Sequence, residues 1–596
     1  MDRPHASTCR VETSATAAQC RTLQRRVSKK EDNVELRSNL EPGSSRWATR
    51  RAQWTALGLS DEDMVKPKIA VVNSSSDLAI CYSHLDEIAR WVKQAIHRAG
   101  GLGFEVRTAA PSDFITSAGH RGGYILASRD LIANDIEVAV EGALLDGMVC
   151  LASCDKTAPG QLMAAGRLNI PTIIVACGYQ PCGSFRGAHC DIEDVFLAAA
   201  HADQGRIGRD ELTEMADNAV RGPGVCAGMG TANSMHIASE ALGMALPGST
   251  PVLAGSPRMW TAAEQAAGRI VEMVAEGLRP RDILTPAAFA NAVTVILAVS
   301  GSINTVKHLQ AVAAEAECDV DVYRLFERYA SDVPLLAAIR PNGEHTIEQF
   351  EAAGGAAAVM KRLEGLLHTD ARTLTGRTVA ANLDDLNLAG VRADEGEVIR
   401  PVSRPLGRRP TIVLVRGSLA PATAIVKLAV AEDRKLQFAG PARVYDSPED
   451  AIAGVRAGQV TKGEVVVLRG IGPKGSPGMG MASRPVFALD GAGLTGQVAF
   501  VTDGQLSGLV NKGIVVGEVS PEAADGGPLA LVENGDRIAI DVAARTVDLD
   551  IPAGELERRR ARLAPPSGHA ERGWLSVYER LVRPLQEGAV LTPRRP

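Results

Sequence analysis

A thiol, a carboxylate and an amine follow one another at Cys154, Asp155 and Lys156, directly after the apolar run "MVCLAS". Each of these groups is costly to bury alone, so their adjacency indicates chemistry rather than packing. A thiolate is a soft ligand that suits iron or zinc, whereas a carboxylate is a hard ligand that suits magnesium. The segment therefore predicts contact with two different metals, although a capped turn around a buried cysteine is the simpler alternative.

Two further cysteines occupy comparable places in the chain. Cys81 lies in "NSSSDLAICYSHL", just before the start of a predicted helix, and Cys226 lies in the Gly-rich "GPGVCAGMGTANSM". Three protein thiols leave the fourth ligand position to something else, as in a catalytic metal centre. A structural zinc site is the weaker hypothesis, because the chain has no CxxC pair. Cys150 and Cys177 lie within apolar runs and are predicted to be core residues.

The elements that must position these groups follow a strand–loop–helix order. "KIAVV", "MVCLAS" and "PTIIVACG" are predicted strands, and "SHLDEIARWVKQAIHRAGG" and "PGQLMAAGRL" are predicted helices. We expect Ser83 to cap the first of these helices. Strands that alternate with helices predict a parallel sheet with helices against it. Helical patterns then dominate from Thr261 to Leu367.

The composition changes near Val391, where a charged, Pro-containing stretch without apolar periodicity extends to Pro410. We interpret residues 391–410 as a linker. Short apolar runs separated by Gly- and Pro-rich turns follow it, which predicts a β-barrel-like domain over residues 411–596. The prediction is thus an α/β fold: a disordered extension at 1–36, a parallel-sheet α/β domain at 37–390 with flanking helices, and a smaller C-terminal barrel-like domain.

The bulk composition limits the class of protein. The chain has 596 residues, 45% of them hydrophobic and 22% charged, with a formal net charge of −6. We therefore expect a soluble enzyme-like protein, with neither a nucleic-acid nor a membrane partner. The ten cysteines follow no disulfide spacing. We expect a cytoplasmic location, and the Arg-, Ser- and Thr-rich extension leaves organellar targeting open.

Four ordered motifs, "CDKTAPGQLMA", "GPGVCAGMGTANSM", "GPKGSPGM" and "TDGQLSG", give the chain its resemblance to a known family. It resembles the dihydroxy-acid dehydratase and phosphogluconate dehydratase family of iron–sulfur hydro-lyases, which includes sugar-acid dehydratases. The resemblance extends from about Arg37 to the C-terminal region. It implies that a 2,3-dihydroxy acid loses water to give a 2-keto acid, and that the chain forms a homodimer or homotetramer.

The resemblance also implies roles for particular residues. Cys81, Cys154 and Cys226 would hold an iron–sulfur cluster, of the [2Fe–2S] type or alternatively [4Fe–4S]. The implied Mg²⁺ ligands are three side chains: Asp113, Asp155 and a carbamylated Lys156. Lys156 and Ser507 would form the catalytic pair, with Ser507 as the base that removes the C2 proton.

One position departs from the family pattern. The dihydroxy-acid branch has a metal-binding Glu where this chain has Ile471, and the sugar-acid branch usually has one after "PGM", where Gly480 and Met481 follow here. An additional water could complete the Mg²⁺ site. The departure keeps two alternatives beside dihydroxy-acid dehydration: an aldonic-acid dehydratase, and a non-catalytic cluster-binding relative.

Overall fold

The computed structural model describes residues 35–119, 122–386, 396–431, 434–507, 510–511, 513–563 and 572–592. The first 34 residues of the predicted extension, and residues 391–395 of the predicted linker, lie outside this part of the chain. The three predicted boundaries, at 36/37, 390/391 and 410/411, stay predictions.

The N-terminal region contains a four-stranded parallel sheet in the order β2–β1–β3–β4. Its strands are β1 (Lys68–Asn73), β2 (Leu102–Arg107), β3 (Gly147–Ala152) and β4 (Thr172–Ala176). Every residue of β1, β3 and β4 is buried. Such continuous apolar strands are typical of a parallel sheet with helices on both faces, as the sequence predicts. A short hairpin, β5 (Gly183–Phe185) and β6 (Ala188–Cys190), follows the sheet.

Helices surround this sheet and fill the rest of the region. They are α1 (Ser45–Ala56), α2 (Asp61–Met64), α3 (Leu85–Arg98), α4 (Asp113–Thr116), α5 (Tyr124–Gly142), α6 (Thr157–Leu168), α7 (Ile192–Asp203), α8 (Arg209–Ala219), α9 (Thr231–Ala241), α10 (Pro257–Glu276), α11 (Pro286–Ala298), α12 (Asn304–Glu315), α13 (Val322–Tyr329), α14 (Ile347–Ala352), α15 (Gly355–Arg362) and α16 (Val379–Asp385). α9 and α11 are buried along their whole length, or nearly so, and form the centre of the helical layer.

The prediction that Ser83 caps α3 is wrong. The N-cap residue is His84, which makes no side-chain capping bond. The Ser83 hydroxyl instead donates to the carbonyl of Ile80, at 3.0 Å. A serine can bond to its own preceding turn as readily as to a helix start, so the sequence pattern alone did not separate the two.

The C-terminal region forms an eight-stranded, nearly closed, barrel-like sheet in the order β14–β13–β9–β10–β11–β12–β8–β7. Its strands are β7 (Ile412–Val415), β8 (Thr423–Lys427), β9 (Gln437–Tyr445), β10 (Val465–Leu468), β11 (Ala499–Thr502), β12 (Val515–Ser520), β13 (Arg537–Asp541) and β14 (Thr546–Asp550). An isolated bridge between Arg416 and Thr546 joins the two outer strands. The α/β fold with a barrel-like C-terminal region is confirmed.

Four helices accompany the barrel: α17 (Pro448–Arg456), α18 (Ser483–Gly491), α19 (Ala553–Arg562) and α20 (Trp574–Leu581). The barrel interior has its own apolar core, whereas its helix-covered outer face continues the large core of the N-terminal region. This shared core lets loops from both regions meet in one cavity. Among the described residues, no helix is long and apolar enough to cross a membrane.

Candidate active site

A cavity of about 500 Å³ lies where the loops of the two regions meet. Six of the seven residues singled out in the sequence line it: Cys81, Asp113, Cys154, Asp155, Cys226 and Ser507. The seventh, Lys156, is fully buried, and its ammonium group reaches the two aspartates from behind. Residues remote in the chain therefore meet because both parallel-strand ends and the barrel loop face the same space.

The turn after β3 is fixed by its backbone contacts. The Ser153 hydroxyl donates to the carbonyl of Cys81 at 2.5 Å, which joins the loops that follow β1 and β3. The Thr157 hydroxyl donates to the carbonyl of Cys154 at 2.8 Å, and the Ser153 N–H donates to the same hydroxyl oxygen. The Nε2 atom of His236 lies 3.1 Å from the carbonyl of Ser153. The polar side chains of this turn are thus held in place before any ligand arrives.

The three thiols lie on three different loops of the cavity. Cys81 and Cys154 are buried, and Cys226 is half-buried. The thiols of Cys81 and Cys154 are in hydrogen-bonding contact, and this contact together with burial raises the pKa of Cys154. Burial, followed by the charge of Cys154, raises the pKa of Cys226. Thiols gathered in this way stay protonated unless a positively charged partner, such as a metal centre, stabilises the thiolate form.

The carboxylates occupy the neighbouring wall. The Nζ atom of Lys156 lies 3.3 Å from an oxygen of Asp113 and 3.7 Å from one of Asp155. Burial, followed by the charge of Asp155, raises the pKa of Asp113 to about 7, and Lys156 opposes this shift. Burial lowers the pKa of Lys156, but the two carboxylates outweigh burial and raise it overall. Two acidic groups in contact in a half-buried site are typical of a divalent-cation site.

Ser507 comes from the barrel, on the loop after β11. Its backbone N–H donates to the hydroxyl oxygen of Ser483 at 2.6 Å. The carbonyl of the preceding Leu506 accepts from the amide of Asn304 at 3.4 Å. Asn304 in turn accepts from Lys307, which forms a buried ion pair with Glu518. The peptide group between Leu506 and Ser507 is therefore hydrogen-bonded at both its carbonyl and its N–H.

The Gly-rich loop that carries "GPKG" is held from below by two carboxylates. Asp503 accepts from the N–H groups of Gly470 and Ile471, each at 3.0 Å. Glu522 accepts from the N–H groups of Lys474 and Gly475, the latter at 2.9 Å. Asp503 and Glu522 thus fix the backbone of this loop. The Ile471 side chain is fully buried.

Some site residues had no sequence pattern that could reveal them. Glu193, on the first turn of α7, lines the cavity without belonging to any of the four motifs. Ser483 and Asn304 act on Ser507 from distant parts of the chain.

The chemistry of these donors fits the two groups that the resemblance implies. Three thiols fit an iron–sulfur cluster, and two carboxylates beside a lysine fit Mg²⁺. A single zinc ion fits less well. Among the described residues, the one group of metal-ligand atoms within 4.8 Å of one another is His189, Asp191 and Asp194. The three thiols therefore do not form a compact tetrahedral set for one ion.

The fold and this cavity define a class of protein, and comparison with known families agrees. The family model described as dihydroxy-acid/6-phosphogluconate dehydratase N-terminal matches residues 66–382, and its C-terminal counterpart matches residues 397–589. The chain belongs to the dihydroxy-acid/6-phosphogluconate dehydratase family, and it is a hydro-lyase.

Individual relatives match along nearly the whole chain. A dihydroxy-acid dehydratase from Methanococcoides burtonii is 40% identical over 553 residues, which cover 93% of this chain and 99% of the relative. Dihydroxy-acid dehydratases from Methanothrix thermoacetophila and Pyrococcus abyssi are each 41% identical, over 93% of this chain and 100% of their own length. The predicted family and the predicted enzyme class are confirmed.

Proposed function

We propose that this chain is a dihydroxy-acid dehydratase that converts a short branched 2,3-dihydroxy acid into a 2-keto acid. The observation that carries the proposal is the single cavity in which three thiols, two carboxylates and Ser507 meet. Dehydration of such an acid requires a base near C2 and stabilisation of the hydroxyl that leaves C3. The cavity provides residues suited to both tasks.

One part of the cavity wall favours a branched apolar substrate over a sugar acid. This part includes Leu78, Ile80, Phe114, Ile115, Phe196 and Met481, whereas polar side chains such as Gln180, Asn233 and Gln505 line other parts of the cavity. An aldonic acid carries a hydroxyl on every further carbon, and hydroxyls placed against such a wall would lack hydrogen-bond partners. A short alkyl group gains from the same contact. Phe114 and Phe196 pack edge to face at 5.7 Å, which gives this wall a rigid surface.

The spacing of the thiols supports a [2Fe–2S] cluster held by Cys81, Cys154 and Cys226. Two of the thiols are in contact, whereas the third does not join them in a compact group. Two close ligands and one apart match a two-iron centre better than a cubane, whose corners are evenly spaced. When bound, the cluster and Mg²⁺ supply Lewis-acid stabilisation of the leaving hydroxyl and of the developing enolate charge.

The Mg²⁺ ligands on the chain would be Asp113, Asp155 and Lys156. The ammonium group of Lys156 neutralises the two aspartates in the absence of a cation. A divalent cation would take over this neutralising role, and the released amine could then be carbamylated to give a further oxygen ligand. Lys156 would thereby change from the counter-ion of the aspartates to their fellow ligand.

Ser507, as its alkoxide, would remove the C2 proton. The C3–O bond then breaks, and the departing oxygen takes up a proton to leave as water. The resulting enol becomes the 2-keto acid when C3 gains a proton. A serine is a weak base on its own, so this step needs the positive charge of the site. The anchored peptide group between Leu506 and Ser507 would keep the Ser507 hydroxyl directed at C2 through the reaction.

We also propose a homodimer or homotetramer. Apolar side chains at the rim of the cavity support this, since Leu78 is 67% exposed, Ile115 51% and Ile80 45%. A group of exposed apolar residues is typical of a surface that another protein covers. Light scattering of the purified protein tests the assembly, and a monomer at micromolar concentration would contradict it.

A comparison of two substrates tests the proposed activity. Keto-acid formation is measured on anaerobically purified, cluster-containing protein with Mg²⁺, using a short branched 2,3-dihydroxy acid and an aldonic acid. We expect kcat/KM to be at least about 10²-fold higher for the branched acid. The opposite preference would identify a sugar-acid dehydratase, and turnover of neither acid would favour the non-catalytic relative.

A further inference from the structure

The loop that carries the metal-binding Glu in the resembling branches provides no carboxylate here. Ile471 is fully buried and packs on Gly480 and Gly504. Met481 lines the cavity and packs over Gly122, where an added Cβ would lie 2.6 Å from its Cγ. Apolar side chains thus fill both positions at which a relative would place a ligand.

A different carboxylate enters the cavity from the opposite side. Glu193 is the second residue of α7, and the side chain of Asp191 caps that helix by accepting from the N–H of Glu193 at 2.8 Å. The cap holds the first turn of the helix toward the cavity. A helix start also favours a negative charge, because its unpaired N–H groups carry partial positive charge.

The carboxylate of Glu193 lies on the loop that follows Cys226. A Cβ added to Gly228 would lie 3.2 Å from one of its oxygens, and a Cβ added to Gly230 would lie 3.4 Å from the other. Side chains at these two positions would crowd the carboxylate, so the glycines give it room. This loop therefore accommodates Glu193 at the cavity surface.

Glu193 differs from its acidic neighbours because it has no partner. Asp191 caps α7 and contacts His189, and Asp194 forms a bidentate pair with Arg340 at 2.8 and 3.0 Å. The described part of the chain provides neither a hydrogen-bond donor nor an ion-pair partner for the Glu193 carboxylate. A half-buried carboxylate with no partner needs compensation from outside the chain.

The charge balance of the cavity shows what that compensation is. Three carboxylates, those of Asp113, Asp155 and Glu193, face one ammonium group, that of Lys156. Burial and the charges of Asp191, Asp194 and Asp155 raise the pKa of Glu193, and the charge of Arg340 opposes this shift. The other carboxylate of the lining, Glu449, is 58% exposed at the rim, where it lies 3.9 Å from the guanidinium of Arg484, a cation that also lines the cavity. A bound cation would balance the excess negative charge of the interior.

We propose that Glu193 is the third carboxylate of the divalent-cation site and takes over the role of the Glu that positions 471 and 481 lack. It acts through a metal-bound water, because it does not share a compact group of ligand atoms with Asp113 and Asp155. Mg²⁺ commonly keeps several of its waters, so such a contact is ordinary for this ion. The inference rests on the proposed function and adds the residue that links the carboxylate wall to the Cys226 loop.

Binding of Mn²⁺, which replaces Mg²⁺ and is visible by electron paramagnetic resonance, tests the inference on the cluster-containing protein. We expect Glu193→Gln to raise the Kd for Mn²⁺ at least about tenfold, as losses of outer ligands commonly do. Glu449→Gln is the matched control and should leave the Kd within about twofold of the unsubstituted protein. The cluster absorbance should be the same in all three proteins. Glu193→Gln with an unchanged Kd, or with a lost cluster and an unchanged Kd, would overturn the inference.

Two further variants keep the test decisive. Glu193→Asp keeps the charge and the helix start but shortens the reach, so a Kd between those of Glu193→Gln and the unsubstituted protein is expected. Met481→Glu, added to Glu193→Gln, should restore most of the lost affinity. If this double variant folds but regains no affinity for Mn²⁺, Glu193 does not replace the missing Glu.

Turnover of the unsubstituted protein separates this inference from the proposed function. If that protein binds Mn²⁺ in a Glu193-dependent way but converts no dihydroxy acid, the proposed function fails and the inference stands. If it converts the acid and Glu193→Gln binds Mn²⁺ normally, the inference fails alone.

Discussion

The N-terminal sheet region and the C-terminal barrel contribute to the cavity in different ways. The sheet region provides the metal-binding types of side chain, on the loops that follow β1, β2 and β3 and on the loop before α9. The C-terminal region contributes fewer lining residues, among them Ser507, whose peptide group with Leu506 is hydrogen-bonded at both its carbonyl and its N–H. In the proposed function, the first region holds the cofactors and the second removes the proton.

The difference teaches that the two halves should fail differently. In the proposed function, a lost thiol removes the cluster and with it every step that the cluster assists. A lost hydroxyl removes one proton transfer and leaves cofactor binding intact.

Substitution of a thiol should have the largest effect. We expect Cys154→Ser to lose the visible absorbance of the cluster and about 10⁴-fold in kcat, since Lewis-acid stabilisation of several kcal/mol disappears. Iron content, absorbance and keto-acid formation under anaerobic conditions measure this. Cys150→Ala is the matched control, because Cys150 is fully buried in β3 and should keep its cluster. A Cys154→Ser protein with full iron content would remove this thiol from the account.

Substitution of the barrel hydroxyl should separate chemistry from cofactor binding. Ser507→Ala should lower kcat by about 10²- to 10³-fold, the range of a lost general base. Iron content and Mn²⁺ affinity should stay unchanged, because the ligands come from the other region. An active Ser507→Ala protein would show that another group removes the C2 proton.

A smaller loss of kcat is expected from substitution of Ser483, which positions Ser507 but does not itself remove the proton. Ser483→Ala removes the acceptor of the Ser507 N–H, so kcat should fall roughly 3- to 10-fold, in line with one lost hydrogen bond. KM and Mn²⁺ affinity should change little, and Ser483→Thr, which keeps a hydroxyl, should restore kcat. A change in KM alone would indicate a role in substrate binding instead.

The smallest effect concerns the loop that Glu522 anchors. Burial, followed by the charge of Asp503, raises the pKa of Glu522 from its ordinary 4.5 to about 8. Between these two values the folded chain keeps a proton that the unfolded chain has released, so stability falls as the pH rises through that window. Denaturant midpoints measured from a pH of about 5 to about 8 should fall in the unsubstituted protein and fall less in Glu522→Gln.

The surface variant Glu557→Gln, in which an exposed glutamate is replaced, is the control for the Glu522 experiment. It should show the same pH dependence as the unsubstituted protein. Equal slopes for Glu522→Gln and Glu557→Gln would contradict the burial argument.

Adjacency in the chain decided how much of this site the sequence could predict. Cys154, Asp155 and Lys156 share one turn, so their chemistry is visible in three consecutive letters. The buried strands and the β-rich C-terminal half were predictable for a similar local reason, because apolar runs bounded by Gly and Pro are typical of strands. The resemblance to a family then connected the distant motifs.

The contacts that no local pattern encodes could not be predicted. Glu193 looks like an ordinary residue of a helix start, and only the fold shows it facing the Cys226 loop without a partner. Ser483 is 24 residues away in sequence from Ser507, whose N–H donates to the Ser483 hydroxyl oxygen. The prediction that Ser83 caps α3 was wrong for a local reason. Its hydroxyl can bond either to the helix start or to the preceding turn, and it bonds to the turn.

The central claim is that the three thiols hold a cluster in the same cavity in which the dihydroxy acid binds. Mössbauer spectroscopy of the iron-57-labelled, cluster-containing Ser507→Ala protein, with and without a saturating branched 2,3-dihydroxy acid, tests it most directly because this variant binds the acid without converting it. The account predicts two iron sites, of which one changes its spectrum when the acid is added. A spectrum that the acid leaves unchanged, or a protein that contains no iron, would contradict the account.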